Sequence, residues 1–262
     1  MITGLKINEQ RKQMYYEKGY WGKDTVLDAW DNAVKNYGER EYVADDQGRR
    51  YTYAEVDAKA SRLASWLKEI GIEVGDVVAI QFPNWAEFTV AYVAILKVGA
   101  VSTPVPKNYN DADLTYIMNL VHAKAFICPT YFHHTDYEQQ AIDAMKECPS
   151  VKAIAVCDKF EPARYGTISL STICATHEPL QEKSEASSDD VVVILSTSGT
   201  TGKPKAALLT HNNMLYSERI FAQEAHRGPD DVMFDCSPLN HAVGFWHGLI
   251  APMLTGGRSV LM

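Results

Sequence analysis

Between Ser196 and Lys205 the chain reads STSGTTGKPK, a run of hydroxyl side chains with two glycines and two lysines. Backbone N–H groups, hydroxyl donors and cationic groups presented together suit a polyphosphate. Gly199 and Gly202 permit positive φ and close backbone approach, and Pro204 stiffens the exit. The spacing excludes two common nucleotide loops. A Walker A loop needs G-x-x-x-x-G-K followed by Ser or Thr, whereas here Pro204 follows Lys203 and Gly199 lies only three positions before Gly202. The G-x-G-x-x-G pattern of dinucleotide sites is missing too. The bland alternative, a flexible polar loop, is weakened by the two lysines and by the flanks.

Those flanks are a buried strand, Val191 to Leu195, and a helix resuming at Thr210 as HNNMLYSERIFAQEA, so the reading is strand, phosphate loop, helix. Upstream, strands and helices alternate. Thr25 starts a helix through Val26, Ala29, Trp30, Ala33 and Val34. Asp46–Arg49 is a turn between two short extended runs, Glu41 to Ala44 and Arg50 to Thr52. Thr52 and Glu55 form a capping box for a helix whose Val56, Ala60, Leu63, Leu67 and Ile70 share one face, ended by Gly71. Strands are expected at Val77–Phe82, Val101–Pro104, Ala125–Cys128 and Val151–Cys157. Helices are expected from Asn84 as N-cap to Gly99, from Asn110 or Asp111, and from Thr135 to Lys146. The helix over residues 86–98 is apolar nearly all round, which places it between layers. Strands separated by helices require crossover connections and a largely parallel sheet.

Phe160 to Asp190 lacks periodicity and reads as a surface connection. The expected organisation is a helical and extended lead (1–50), a first α/β subdomain (51–180) and the start of a second (181–262) that carries the loop. The aromatics Tyr15, Tyr16, Tyr20, Trp21 and Trp30 are candidate anchors of the lead onto the later core.

Composition bounds the function. With 262 residues and 46% apolar content, the chain can bury roughly three quarters of its unfolded surface without staples. Twenty-five Lys and Arg against 33 Asp and Glu give a net charge of −8, which argues against a nucleic-acid binder. The N-terminus lacks the apolar run of a secretory signal, and the apolar stretch over 86–98 is too short to span a bilayer. Five cysteines without C-x-x-C spacing read as buried, reduced thiols of a cytoplasmic protein. His133 and His134 lack acidic or Cys partners at ligand spacing and read as surface or capping residues.

STSGTTGKPK resembles the phosphate-loop signature of the adenylate-forming superfamily, which includes acyl-CoA synthetases, adenylation domains of peptide synthetases and luciferases. YTYAEVDAKASRLASWL, LKVGAVSTPV and SPLNHAVGF resemble flanking blocks of that superfamily in its order, from about residue 50 to the end. LTHNN, FWHG, NEQR and YWG are similar to bacterial short- and medium-chain fatty acyl-CoA synthetases, with carnitine-type CoA ligases close behind. One departure is Ala206, where the family usually has Gly after the last lysine.

The resemblance implies the first portion of the large N-terminal α/β domain of adenylate-forming enzymes. It implies an ATP-dependent activation of a fatty or related carboxylic acid as acyl-AMP, followed by transfer to coenzyme A. Thr197, Ser198, Gly199, Thr200, Thr201 and Gly202 would cradle phosphates, with charge from Lys203 and Lys205 and a Mg2+ contact at Thr200. His241 matches the position bordering the acyl-adenylate, and Gly244 and Phe245 would line the acyl tunnel on an apolar helix, Val243 to Leu254. His247 is read as structural. The family's later Tyr-Gly-x-Thr-Glu and Tyr-x-x-Gly-Asp blocks and its mobile C-terminal domain with a catalytic lysine are not found in the 262 residues. The last residues, GGRSVLM, read as a bare apolar strand, so the expectation is a truncated, inactive ligase fragment that self-associates through exposed sheet edges. The competing reading is a stand-alone nucleotide- or acyl-binding module.

Overall fold

In the computed structural model, which describes residues 5, 7–158, 162–164, 166–197 and 204–262, side chains cap most of the helix starts. Asn8 accepts from Arg11 N to open α1 (Glu9–Glu17), a helix with no buried residue and no signal in the periodicity. Thr25 with Asp28, and Thr52 with Glu55, close complete capping boxes on α2 (Val26–Tyr37) and α3 (Tyr53–Glu69). Between them, β1 (Glu41–Asp45) and β2 (Arg50–Thr52) form the expected antiparallel hairpin. The alternation then runs β3 (Val77–Ile80), α4 (Glu87–Val98), β4 (Val101–Pro104), α5 (Asp111–Leu120), β5 (Ala125–Pro129), α6 (Tyr137–Glu147) and β6 (Ala153–Cys157).

Part of the stretch read as a plain surface connection is structured, as β7 (Ile168–Ser169) and α7 (Leu170–Thr176). Two and seven residues are too few to show a period. The chain continues as β8 (Val191–Thr197), β9 (Lys205–Thr210), α8 (His211–Glu224) and β10 (Val232–Asp235). A π-helix (Val243–Ile250), α9 (Ala251–Thr255) and β11 (Arg258–Leu261) complete it.

The strands make two sheets. The larger runs β7-β6-β5-β3-β4-β8-β9, parallel throughout except for the antiparallel β9, so the α/β class with largely parallel sheets holds. Strands β8 and β9, beyond residue 180, belong to the same sheet as β3 to β6. The smaller sheet runs β10-β11-β1-β2 and joins residues 41–52 to residues 232–261. In it β11 pairs with β10 on one side and β1 on the other. The expected bare terminal strand is therefore an internal one; the edges are β2 and β10, with Phe234 on β10 62% exposed.

One apolar cluster gathers Trp30, Tyr53, Phe88 and Phe245 from helices and Trp85 from the segment before α4, and a second packs α5 and α6 on the other face of the large sheet. Alternate residues of β3 serve each cluster: Val78 and Ile80 the first, Val77 and Ala79 the second. Helix α4 is buried at every position but Lys97, as expected for a helix between layers. Of the lead aromatics, Trp30 enters the core, while Tyr15, Tyr16, Tyr20 and Trp21 make tilted or edge-on ring contacts with one another and, through Tyr20, with Tyr216 of α8.

Asn84 does not cap α4, whose N-cap Ala86 has no side-chain bond. Its amide is spent across the molecule, donating to Ser237 O at 2.9 Å and Met262 O at 3.0 Å and accepting from Leu239 N at 3.2 Å. A local pattern cannot distinguish a capping Asn from one recruited by a distant backbone. Among the described residues no helix is long and apolar enough to cross a membrane.

Candidate nucleotide and acyl site

The ladder between β8 and β9 runs from Val191 opposite Thr210 to Thr197 opposite Lys205. Its open end strings residues 198–203 between Thr197 and Pro204. Ser198, Gly199, Thr200, Thr201, Gly202 and Lys203 lie outside the described residues, and with them the expected Mg2+ contact. What the structure describes is the frame: a buried strand rising to the loop, and a strand returning from it before the helix. A strand, β9, therefore stands between residues 198–203 and the helix, where the expectation was strand, loop, helix. Lys205–Thr210 (KAALLT) escaped notice because it is an edge strand with Leu208 and Leu209 only half-buried and no alternation. Ala206 sits within that strand opposite Ser196, in extended backbone that needs no glycine.

The frame brings Thr197 and Lys205 together as the last rung, both exposed, with Thr197 Oγ1 donating to Lys205 O at 3.5 Å. Thr210 closes a capping box with Asn213 at the start of α8. His211 follows, buried, and its Nδ1 accepts from Val26 N at 3.0 Å, tying α8 to the start of α2. Burial holds this imidazole down at about 4, so it is a neutral acceptor. Two tyrosines that sequence reasoning missed reach the loop's roots: Tyr109 Oη bonds Ser196 Oγ and Tyr116 Oη bonds Pro204 O, each at 3.4 Å. Nothing in their spacing signals this, since the contact is tertiary.

The second group of expected residues follows β10. His241 is exposed; its N donates to Pro238 O, and its O accepts from Phe245 N, both at 2.9 Å. No hydrogen bond links His241 to Thr197 or Lys205 among the described residues. Gly244 lies against the backbone of Ser237 and Pro238, so closely that a Cβ would meet Ser237 O at 2.5 Å and Pro238 O at 2.6 Å. The glycine therefore lets the π-helix fold back on the segment that leads to His241. Phe245 is fully buried, edge-on to Phe88 at 5.2 Å and to Tyr92 at 4.6 Å between ring centroids. It is a core residue in this structure. The expected apolar helix over 243–254 is the π-helix followed by α9.

His247 does have a partner of interest. Its Nδ1 lies 2.9 Å from Oε2 of Glu218, a fully buried carboxylate on α8, and its ring stacks on Phe221 at 4.0 Å. Beside it Asp235 is 5% exposed, with Oδ1 accepting from Ser237 N at 3.1 Å and Oδ2 buried without a hydrogen-bond partner. Burial raises its carboxyl to about 6, against the opposing pull of the Ser237 amide and His247. Sequence reasoning missed both acids; a lone Glu on a helix and a lone Asp at a strand end carry no signal. Among the described residues no group of three His, Cys, Asp or Glu could hold a metal ion. An open groove of about 510 Å³, lined by Lys68, Lys97 and Lys183 among others, contains none of the expected site residues.

The AMP-binding enzyme family matches residues 30–262. The chain belongs to that family. It is 40% identical over 262 residues to the medium-chain fatty-acid–CoA ligase of Escherichia coli (strain K12), covering all of this chain and 46% of that protein. A crotonobetaine/carnitine–CoA ligase of Escherichia coli O127:H6 is 27% identical over 247 residues, or 92% of this chain and 47% of the relative. Among solved structures, apo MbtA of Mycobacterium smegmatis superposes with a TM-score of 0.87 at 27% identity, over 98% of this chain and 47% of that one. The chain thus spans about half the length of the relatives it matches.

Proposed function

We propose that this chain supplies the nucleotide-binding part of an AMP-forming carboxylate–CoA ligase acting on a medium-chain fatty acid. The observation that carries the reading is the β8–β9 frame on either side of residues 198–203, within a match that covers all of this chain and 46% of a medium-chain ligase. A carboxylate is a poor electrophile because its oxygen leaves badly. In the proposed reaction it attacks the α-phosphorus of ATP and pyrophosphate departs; the thiol of coenzyme A then attacks the acyl carbonyl of the acyl-AMP, forming the thioester and releasing AMP. Residues 197–202 would hold the β- and γ-phosphates of MgATP through amides and hydroxyls, Thr200 would supply an oxygen to the magnesium, and Lys203 and Lys205 would offset phosphate charge. His241, exposed at the head of the π-helix, borders the acyl-adenylate. Gly244 positions that helix, and Phe245 acts from behind it, through Phe88 and Tyr92.

The 262 residues alone do not complete this reaction, because the ribose-binding and magnesium-binding acids of the family are not among them. The site of action is the cytoplasm, which suits five cysteines of which none forms a disulfide, three of them buried. The test is carboxylate-dependent ATP–pyrophosphate exchange with octanoate, alongside MgATP titration. No exchange, with weak MgATP binding that Lys205→Ala abolishes, is the expected result. Robust exchange by the chain alone would overturn the inactivity. A second reading, a nucleotide-binding module without ligase activity, draws on the closed pairing of β11 within the small sheet. Tight MgATP binding without exchange would select it.

A further inference from the structure

The Asn84 side chain makes three hydrogen bonds among the described residues, each to backbone at least 153 positions further along the chain. Nδ2 donates to Ser237 O at 2.9 Å and to Met262 O at 3.0 Å, while Oδ1 accepts from Leu239 N at 3.2 Å. Donating to one residue and accepting from the second one after it is how a residue in a parallel strand pairs with its neighbour. Here one side-chain amide does the work of that strand.

The holder is fixed on both sides. Before Asn84, Gln81 N donates to Ile127 O at 2.9 Å, and Phe82 is buried. After it, buried Trp85 lies under the Arg49 guanidinium at 4.5 Å, and Ala86 N donates to Asp45 Oδ2 at 3.0 Å. The amide is therefore presented from a segment with little freedom.

The held segment follows β10 and ends at His241, whose N donates to Pro238 O at 2.9 Å. The π-helix closes its other side through two glycines. A Cβ at Gly244 would meet Ser237 O at 2.5 Å, and one at Gly248 would strike the Asp235 carboxylate. The exposed His241 thus stands on a backbone gripped between Asn84 and the π-helix.

We propose that Asn84 is a positioning residue for His241, fixing the backbone of residues 237–239 from which His241 meets an acyl-adenylate. This rests on the reading of His241 as the residue that borders the acyl-adenylate. A group held in place before its ligand arrives loses less conformational entropy on binding. Asn84 does not touch the ligand in this scheme; it acts through the backbone it holds.

The experiment titrates octanoylsulfamoyl adenosine, a stable analogue of an octanoyl-adenylate, into the 262-residue chain while NMR follows the His241 imidazole. In the parent the His241 signals should shift and saturate. Asn84→Ala removes all three bonds; Asn84→Asp keeps the acceptor for Leu239 N and removes both donations. Each variant should bind the analogue about tenfold more weakly, and the Leu239 amide should exchange faster in Asn84→Ala. Thr25→Ala, which breaks the capping box of α2, should lower the melting temperature and keep the parental affinity. Unchanged affinity in both Asn84 variants would overturn the proposal even with faster exchange at Leu239, since Asn84 would then only hold the sheets together. An equal loss of affinity in Thr25→Ala would overturn it too. His241 signals that ignore the analogue in the parent would instead overturn the reading of His241, and the proposal with it.

Discussion

Gly244 separates packing from mere flexibility, because the groups a side chain would strike are backbone atoms held in place. In Gly244→Ala the new Cβ would lie 2.5 Å from Ser237 O, 2.6 Å from Pro238 O and 2.9 Å from Pro238 C, where ordinary contact begins at 3.4 Å. Relief therefore needs a shift of nearly 1 Å. Ser237 O is tied to Asn84 Nδ2, and Pro238 O accepts from His241 N. The shift must break these bonds or tilt the π-helix. Overpacking of this kind costs about 1–3 kcal/mol, and a clash with two tethered carbonyls belongs in the upper half of that range. At about 2.1 cal/mol/K per residue, unfolding 262 residues carries about 0.55 kcal/mol/K of entropy, so the melting temperature should fall by about 4–5 °C. The assay is thermal unfolding followed by circular dichroism, with Gly228→Ala as control, since a Cβ there meets nothing within 4 Å. The control should melt within about 1 °C of the parent. If Gly244→Ala melts with the control, the close approach of the π-helix to Ser237 and Pro238 is not as described.

Asp235, raised to about 6, holds its proton in the folded state at pH values where the unfolded chain has lost it, so its contribution to stability is present below pH 4 and lost as pH rises through 6. Asp235→Asn should therefore gain stability relative to the parent between pH 4 and 6.5 in denaturant titrations; a constant difference would refute this. His211, lowered to about 4, works in the opposite direction, since the unfolded chain takes up a proton below pH 6.5 and stability is lost as pH falls toward 4. Its imidazole signals in NMR should stay those of the neutral ring at pH 5.5, and protonation there would count against the Val26 bond. Arg49 is 2.5 Å from Glu87 Oε2 and 3.3 Å from Asp45 Oδ2 and lies over Trp85, with all three charged side chains nearly buried. Arg49→Met should cost about 3–5 kcal/mol by stranding two acids, and adding Glu87→Gln should recover part of it in a double-mutant cycle.

Much of the α/β alternation was legible because its signals are local. A capping threonine and an acid three residues later meet within one turn, as at Thr25 with Asp28 and Thr52 with Glu55, and the strands over 77–157 are bounded by helices long enough to show a period. The family was legible for a related reason: hydroxyls, glycines and lysines crowd into ten consecutive residues, and the AMP-binding family matches residues 30–262. What escaped was short or depended on a distant partner. β9 is an edge strand defined by pairing with β8, α7 is too short for periodicity, and Asn84 looked like a cap until a backbone from residue 237 claimed it.

By itself, then, the sequence determined the chemistry on offer, a run of hydroxyls, glycines and lysines suited to a polyphosphate ahead of a His-x-x-Gly block, and the layered class of fold around it. Only the tertiary structure decided that Val43 of β1 lies beside Ser259 of β11, that Phe245 faces Phe88 and Tyr92 in the core, and that Tyr109 and Tyr116 reach the two roots of the loop. The physical reason is one of range. Caps, turns and periodicity are interactions of neighbours in the chain and leave a pattern there, whereas sheet register, burial and side chain-to-loop contacts are set by how separate faces pack, and no single segment records its partner.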